Sequence, residues 1–400
     1  MKVKVYIILF ITLYFAAGCR ARKDLATDTE KSIQIAADKS GHKNKELVIR
    51  QDSEDQGADS ESKYTNQLPD LSIFRENAEV QDNNQMDIST SFLQLYQQVV
   101  LQRTQRSPSV LQQNQMNEKV KILEQISSAS FEYHLYSYLA GNHDVSRIEH
   151  LQAAEKLNPD NSDVQLQLAA VYIIQSDEKN AELYLQKLID RNRFSSELLN
   201  YAEDLLLSVR QNGTLITHGF DDTFPLVYLQ LKKGMRSDVE IISLDLLQSQ
   251  AYRSKLLISG YKIPESELID VNYFEDFLRE NNSHNLAVSM TVPKEYLSSS
   301  QAHFFPSGLV FDYSLETNYS NFYRNELLWD KEFQRKSLNE PTLQQTKSLN
   351  ANYLPMLFQL REVYMTNKII EKLSEVDKWI DIIAMNCNKY DQVQKLKGLN

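Results

Sequence analysis

The sequence predicts an α/β protein, mostly helical overall, with N-terminal helical repeats, a small βαβ sheet domain and a C-terminal helical hairpin. Three observations carry that class. Residues 131–161 match residues 165–195 at an offset of thirty-four, the length of a two-helix repeat. The stretch from Gln211 to Leu247 reads as strand, helix and strand. Between Pro355 and Ile383, Leu357, Leu360, Tyr364, Ile369, Leu373, Val376 and Ile380 mark two amphipathic helices.

The chain opens with an export signal, residues 1–18. Lys2 and Lys4 precede an apolar run from Val5 to Phe15 that is too short to stay in a bilayer as a permanent span. Ala16-Ala17-Gly18-Cys19 then resembles the lipobox of bacterial lipoproteins, with Ala16 where Leu is usual. The resemblance implies cleavage before Cys19 and acylation of its thiol, each buried methylene contributing about 0.8 kcal/mol to anchoring. Only Cys19 and Cys387 occur, so an exported chain of this composition gains nothing from disulfides and must be held by packing. Cys387 lies on an apolar helical face and reads as core. Residues 19–87 are poor in large apolar side chains, basic from Arg22 to Arg50 and acidic from Asp52 to Glu61. Such a segment does not bury enough apolar surface to offset its ordering entropy, and is expected to be a disordered tether.

Helices are expected from about Ser89 to residue 210. Phe92, Leu95, Tyr96, Val99 and Val100 form one stripe, stopped at Ser107-Pro108, and Val120, Leu123 and Ile126 belong to the next helix. Repeats follow near 128–161 and 162–195. The offset pairs Tyr138 with Tyr172, Leu135 with Ala169, Leu151 with Leu185 and Ala154 with Leu188. Thirty-four residues is the tetratricopeptide period, and the run from Ala153 to Asp160, with its Asn158-Pro159-Asp160 boundary, is similar to the end of such a unit. Tyr138, Ala154, Leu168, Ala169, Tyr172, Ala181 and Leu188 are the expected packing positions. The second repeat fits better than the first, which has Arg147 where a small residue is preferred. Repeats of this kind bind partner segments along a concave face far more often than they catalyse.

The α/β domain is expected at residues 211–345 and the hairpin at 346–400. Asn212-Gly213 is a turn, Thr214 to Thr217 a β-rich run, Pro225 a first-turn residue of a helix, Gly234 its stop, and Val239 to Leu244 the second strand. A helix carrying Tyr273, Phe274, Phe277 and Leu278 and strands near Leu286–Val292 and Leu309–Tyr313 complete a parallel or mixed Rossmann-like sheet of about four strands. Asn321 to Trp329 reads as an aromatic connection packed on the sheet.

The run Gly219-Phe220-Asp221-Asp222-Thr223-Phe224-Pro225-Leu226, with Ile242-Ser243-Leu244 and Leu246-Leu247, resembles the soluble C-terminal region of bacterial membrane proteins of the protein O-mannosyltransferase-like, domain-of-unknown-function type. His218 stands where that family has Asn, and Phe220 where it has Asp. The resemblance spans roughly the second half of the chain. It gives no reason to infer glycosyl transfer, because in that family the many-span membrane portion carries that step.

His218, Asp221 and Asp222 follow the first strand and Asp245 follows the second, so all four belong at the carboxyl ends of parallel strands, where ligands bind open sheets. Two carboxylates and an imidazole there are the chemistry of an acid–base or metal site. The structural account is as concrete: Asp222 or Thr223 caps the helix that begins near Pro225, Asp221 fixes the turn, and His218 ends the strand. No H-E-x-x-H, G-x-S-x-G, paired C-x-x-C or G-x-G-x-x-G is present, and His143 and His150 have no metal-ligand spacing. A net charge of −11 and an exported location disfavour nucleic acid as a partner. The reading is a noncatalytic lipoprotein of the bacterial envelope, at the outer membrane, that docks another envelope protein and needs no cofactor or metal. The alternative is a ligand-binding or glycan-related enzyme using the four strand-end residues.

Overall fold

Helix formation begins at Asn83, six residues ahead of the expected start at Ser89, in a computed structural model that describes residues 83–316 and 319–398. The export signal, the lipid site Cys19 and nearly all of the tether lie outside the described residues. Helix α1, Asn83–Val100, presents Phe92, Leu93 and Val99 to the interior, and Phe92 stacks on Tyr136 with ring centroids 4.4 Å apart. Helix α2, Val110–Ser127, starts at a reciprocal cap between Ser109 and Gln112. The next helices follow the two repeat windows: α3 Phe131–Leu139, α4 Ile148–Leu157, α5 Ser162–Ile174, α6 Glu178–Asp190, and then α7 Ser196–Ser208. Local side chains set their starts, since Ser130, Asn161, Asp177 and Ser195 each accept a backbone N–H three residues on. Helix α3 packs on α4 and α5 on α6. Tyr138, Ala154, Leu168, Ala169, Ala181 and Leu188 are all buried. Tyr172 differs: it is half-buried and stacks on Tyr184 at 5.5 Å. Helix α5 is buried on all sides from Val164 to Val171, which explains why its apolar residues show no single stripe.

The sheet has five strands in the order β2-β1-β3-β5-β4. Strands β1 Thr214–Thr217, β2 Glu240–Ser243 and β3 Leu286–Ser289 run parallel, with β1 in the middle. Strands β4 Phe304–Ser307 and β5 Val310–Tyr313 form an antiparallel hairpin whose β5 pairs antiparallel with β3. The sheet is therefore mixed and one strand larger than expected. The missed strand, β4, contains Pro306 and lies at the sheet edge, where a residue without an N–H is tolerated. Gly308 turns the hairpin at φ +58°, pressed against Ser208 of α7.

Helix α8, Phe220–Lys233, joins β1 to β2, ends at Gly234 in the left-handed region, and packs against α6, α7 and β2. Helices α9 Gln250–Ile258 and α10 Val271–Glu280 lead to β3, and α10 buries Tyr273, Phe274, Phe277 and Leu278 as its sequence predicts. One buried apolar cluster runs from Phe92 in α1 to Tyr313 in β5. The extended segment between α1 and α2 straps this unit. Arg106 N–H donates to Ile269 O at 2.7 Å, Ile269 N–H donates to Ser107 Oγ at 2.9 Å, and Arg103 pairs with Glu295 at 2.9 Å. Glu295 belongs to the short helix α11, Lys294–Leu297.

After the sheet, the aromatic connection Asn321–Trp329 is a short helix, α12 Phe322–Leu327, running into a wide π turn at Leu328–Glu332. Helix α13 Gln344–Leu349 precedes the packed pair α14 Leu354–Thr366 and α15 Ile370–Asn386, and a further helix, α16 Tyr390–Lys397, packs on α15. Asp204 of α7 ties this part on: its buried carboxylate accepts from Gln334 N–H, Arg335 N–H and Tyr353 Oη at 2.9, 2.9 and 2.7 Å. No helix among the described residues is long and apolar enough to cross a membrane.

Candidate functional site

The strand order turns back at β1, because β2 lies on one side of it and β3 on the other, so the carboxyl ends of β1 and β3 flank the place where an open sheet usually takes a ligand. Asp222 fills it. Its Oδ2 accepts His218 N–H and its Oδ1 accepts Ser289 Oγ, both at 3.0 Å, while Ser289 Oγ also pairs with Thr291 Oγ1 at 2.9 Å. Burial drives the Asp222 carboxyl up to about 6, against the pull of its hydrogen-bond donors.

The helix that carries Asp222 starts five residues earlier than Pro225. Its N-cap is Gly219 at φ +79°, a conformation that glycine supplies without strain, so neither Asp222 nor Thr223 is the cap. Asp222 instead sits in the first turn and reaches back to the strand end, and Thr223 Oγ1 bonds Thr217 Oγ1 at 2.7 Å. Pro225 falls in the second turn, and the bond it cannot donate is lost next to the helix start.

Asp245, one residue past Leu244, accepts Gly219 N–H through Oδ2 at 2.6 Å and lies 3.7 Å from Arg106 Nη1. The N–H groups of His218 and Gly219, at the entry to α8, are thus taken by two of the chain's own carboxylates. In nucleotide-binding sheets that position receives a phosphate. Burial pushes Asp245 up, but His218, Arg106, the Gly219 N–H and His143 outweigh it and hold its carboxyl below the usual range. The same Arg106 Nη1 lies 2.5 Å from His218 Nε2. Asp221 points elsewhere, pairing with Arg193 at 2.7 Å and accepting from Gln345 Nε2 at 3.3 Å. His218, Asp222 and Asp245 are brought together, and Asp221 is not among them.

Arg106 is the member that the sequence concealed. It lies in an irregular connection beside Ser107-Pro108, and no periodicity or motif marks it, yet it is 4% exposed and reaches the strand ends. Ser289 and Arg193 were equally invisible, as their partners lie 67 and 28 positions away in sequence (289 less 222, and 221 less 193).

A cavity of about 100 Å³ adjoins this cluster where the helical layer meets the sheet. It is lined by Arg106, Gly219, Phe220 and Asp245 together with Tyr96, Tyr138, His143 and Gln167. His143, for which the sequence offered no ligand spacing, is packed edge-on against Phe220 with centroids 6.0 Å apart. His150 lies elsewhere, Nδ1 to Nδ1 with His134 at 3.1 Å. Among the described residues, no group of three or more His, Cys, Asp and Glu side chains is placed to hold a metal ion.

Fold and cluster together define a class: a helical layer joined to a small mixed sheet whose strand-end polar groups are bonded to one another. Residues 198–393, from α7 into α16, match the family model of TMEM260-associated domain 2, just under half of the chain. TMEM260 is a protein O-mannosyltransferase, so the match is loosely consistent with the resemblance drawn from Gly219 to Leu247. No curated protein and no solved structure matches the chain.

Proposed function

We propose that this chain is a noncatalytic, lipid-anchored accessory protein of the bacterial envelope, held at the outer membrane through Cys19 and docking another envelope protein through tetratricopeptide-like helical pairs at 128–161 and 162–195. In this reading the Rossmann-like sheet is a scaffold that fixes the helices. One observation carries the proposal: the strand-end donors and acceptors that catalysis would use are consumed internally. Asp222 is bonded to His218 N–H and Ser289, Asp245 to Gly219 N–H with Arg106 beside it, and Asp221 to Arg193. Glycan-related catalysis at His218, Asp221, Asp222 and Asp245 would require these bonds to break before substrate could be met. The caps and small buried residues Ala169 and Ala181 support the repeat reading, since they allow α5 and α6 to approach closely.

The test is crosslinking of natively expressed, tagged protein in intact cells, followed by mass spectrometry of what copurifies. The expected result is one dominant envelope protein crosslinked to exposed positions of α3 to α6. Recovery of the chain alone, or unchanged membrane fractionation after Cys19→Ala, overturns the reading.

A further inference from the structure

Two histidines with no motif spacing between them meet at the surface of the first helical pair. His134 of α3 and His150 of α4 are both half-buried, and their Nδ1 atoms lie 3.1 Å apart. The rings are tilted by 48° with centroids 5.3 Å apart, so the contact runs through the nitrogens and not through stacked faces. Tyr133 packs on both, with centroids 5.2 Å from His134 and 5.5 Å from His150, and limits their rotation.

Each Nδ1 of a neutral imidazole is either a donor or a lone pair, so the contact as it stands needs one proton between two nitrogens. Burial lowers His134, with His150 adding to it. Burial lowers His150 too, with Arg147 adding to it and Glu124 and Glu149 opposing. Both rings are therefore neutral at pH 7, the form in which imidazole binds metals. An ion at the usual distance of about 2.0–2.1 Å from each nitrogen subtends roughly 100° between them. That angle lies between the right angle of an octahedron and the wider angle of a tetrahedron, so an ion fits in place of the shared proton with little movement of either helix.

The surrounding charges suit a cation. Glu124 of α2, which accepts from Tyr133 Oη at 3.4 Å, and Glu149 of α4 both act on His150. Arg147, which opposes them, is engaged by Ser137 O at 2.8 Å and Asp144 at 3.6 Å. No third protein ligand among the described residues completes the set, which leaves the other positions to water.

We propose that His134 Nδ1 and His150 Nδ1 together bind one divalent transition-metal ion of the nickel, copper and zinc group. Two imidazole nitrogens suit these ions, whereas Mg²⁺ and Ca²⁺ demand oxygen ligands. On binding, the proton between the rings leaves Nδ1 and solvent returns one to Nε2 of the same ring, so both imidazoles stay neutral. The ion joins α3 to α4 across their turn and ties the first helical pair together. This site is independent of the docking role and stands or falls without it.

Long-range proton–nitrogen NMR of the full chain, purified without a histidine tag and titrated with Zn²⁺, tests it. The chain has seven histidines, and the expected result is a saturable change at Nδ1 of two of them, complete near one equivalent. His134→Gln and His150→Gln should each weaken binding at least tenfold. His284→Gln and His303→Gln, at half-buried histidines elsewhere in the fold, should leave it unchanged. Cu²⁺ should displace Zn²⁺ and show coupling to two nitrogens by electron paramagnetic resonance, and Mg²⁺ should do neither. Should a variant fail to fold, the parent spectrum decides, because a bound ion moves both Nδ1 resonances together while a hydrogen bond leaves one of them protonated. Absence of a saturable change, a change carried by one ring alone, or equal binding in parent and His134→Gln overturns the proposal and leaves the pair as a hydrogen bond.

Discussion

Replacing Asp222 with Asn should stabilise the protein at neutral pH and remove one component of its pH dependence. The carboxyl titrates at about 6 in the fold against an ordinary 3.8, so between those values the folded chain holds one proton more than the unfolded chain. Stability from this group therefore falls as pH rises from about 4 to about 6 and is level above that. A displacement of about 2 pH units at about 1.4 kcal/mol each gives roughly 3 kcal/mol lost by pH 7. Asn keeps the shape, accepts His218 N–H through its oxygen, and can donate to Ser289 Oγ, but carries no charge to bury. Urea unfolding of parent and Asp222→Asn at half-unit steps from pH 4 to 7.5 supplies the assay. The two should agree near pH 4 and separate in favour of the variant by about 1.5–3 kcal/mol at pH 7. Asp204 and Glu240 are also raised by burial, and the difference between the curves cancels them. Parallel curves across the whole range would mean that Asp222 ionises in the fold without penalty, and the argument that it is a sealed structural plug would fail.

Two further outcomes are expected from the same unfolding measurement. Asp204→Ala strands Gln334 N–H, Arg335 N–H and Tyr353 Oη inside the protein and should cost about 3 kcal/mol or more, with Asp204→Asn costing less because one acceptor oxygen remains. Gly308→Ala places a methyl group against Ser208 and the Phe333 ring at a backbone angle that only glycine adopts freely. It should cost roughly 3 kcal/mol, and a near-neutral result would show that the β4–β5 turn is not pinned by α7.

The parts of this fold that were legible in the sequence are those set by neighbours along the chain. Helices α3 to α6 declare themselves through a thirty-four-residue offset and local caps, and β1, α8 and β2 through a turn, β-branched residues and Gly234. The start of α8 was misplaced because Pro225 is a strong helix-start signal, while the residue that begins the helix is Gly219, whose positive φ has no signature beyond the glycine itself. Strand β4 was hidden by Pro306, which demotes a run unless its edge position is known. At the site, His218, Asp222 and Asp245 were found as a group because strand ends converge. Their roles were not, since Arg106 and Ser289 arrive from distant segments and change a reactive-looking set into a bonded one. Tyr138 was legible only as a repeat-packing position; that its hydroxyl has no partner among the described residues is a property of three dimensions.

The strap between α1 and α2 has a consequence for the order in which the chain is assembled. Ser107 bonds a partner 162 positions later, and Arg103 one 192 positions later. At a synthesis rate of about 5–20 residues per second, those partners appear roughly ten to forty seconds after the strap itself. Helices α1 to α6 can associate in that interval through local pairings, but Arg106 has neither Ile269 nor Asp245 to hold it. The seam between helices and sheet thus closes only after the helical half can form, earlier than the docking of Gln334, Arg335 and Tyr353 on Asp204, and errors at that stage should show as a helical half already formed beside a sheet that has not yet docked.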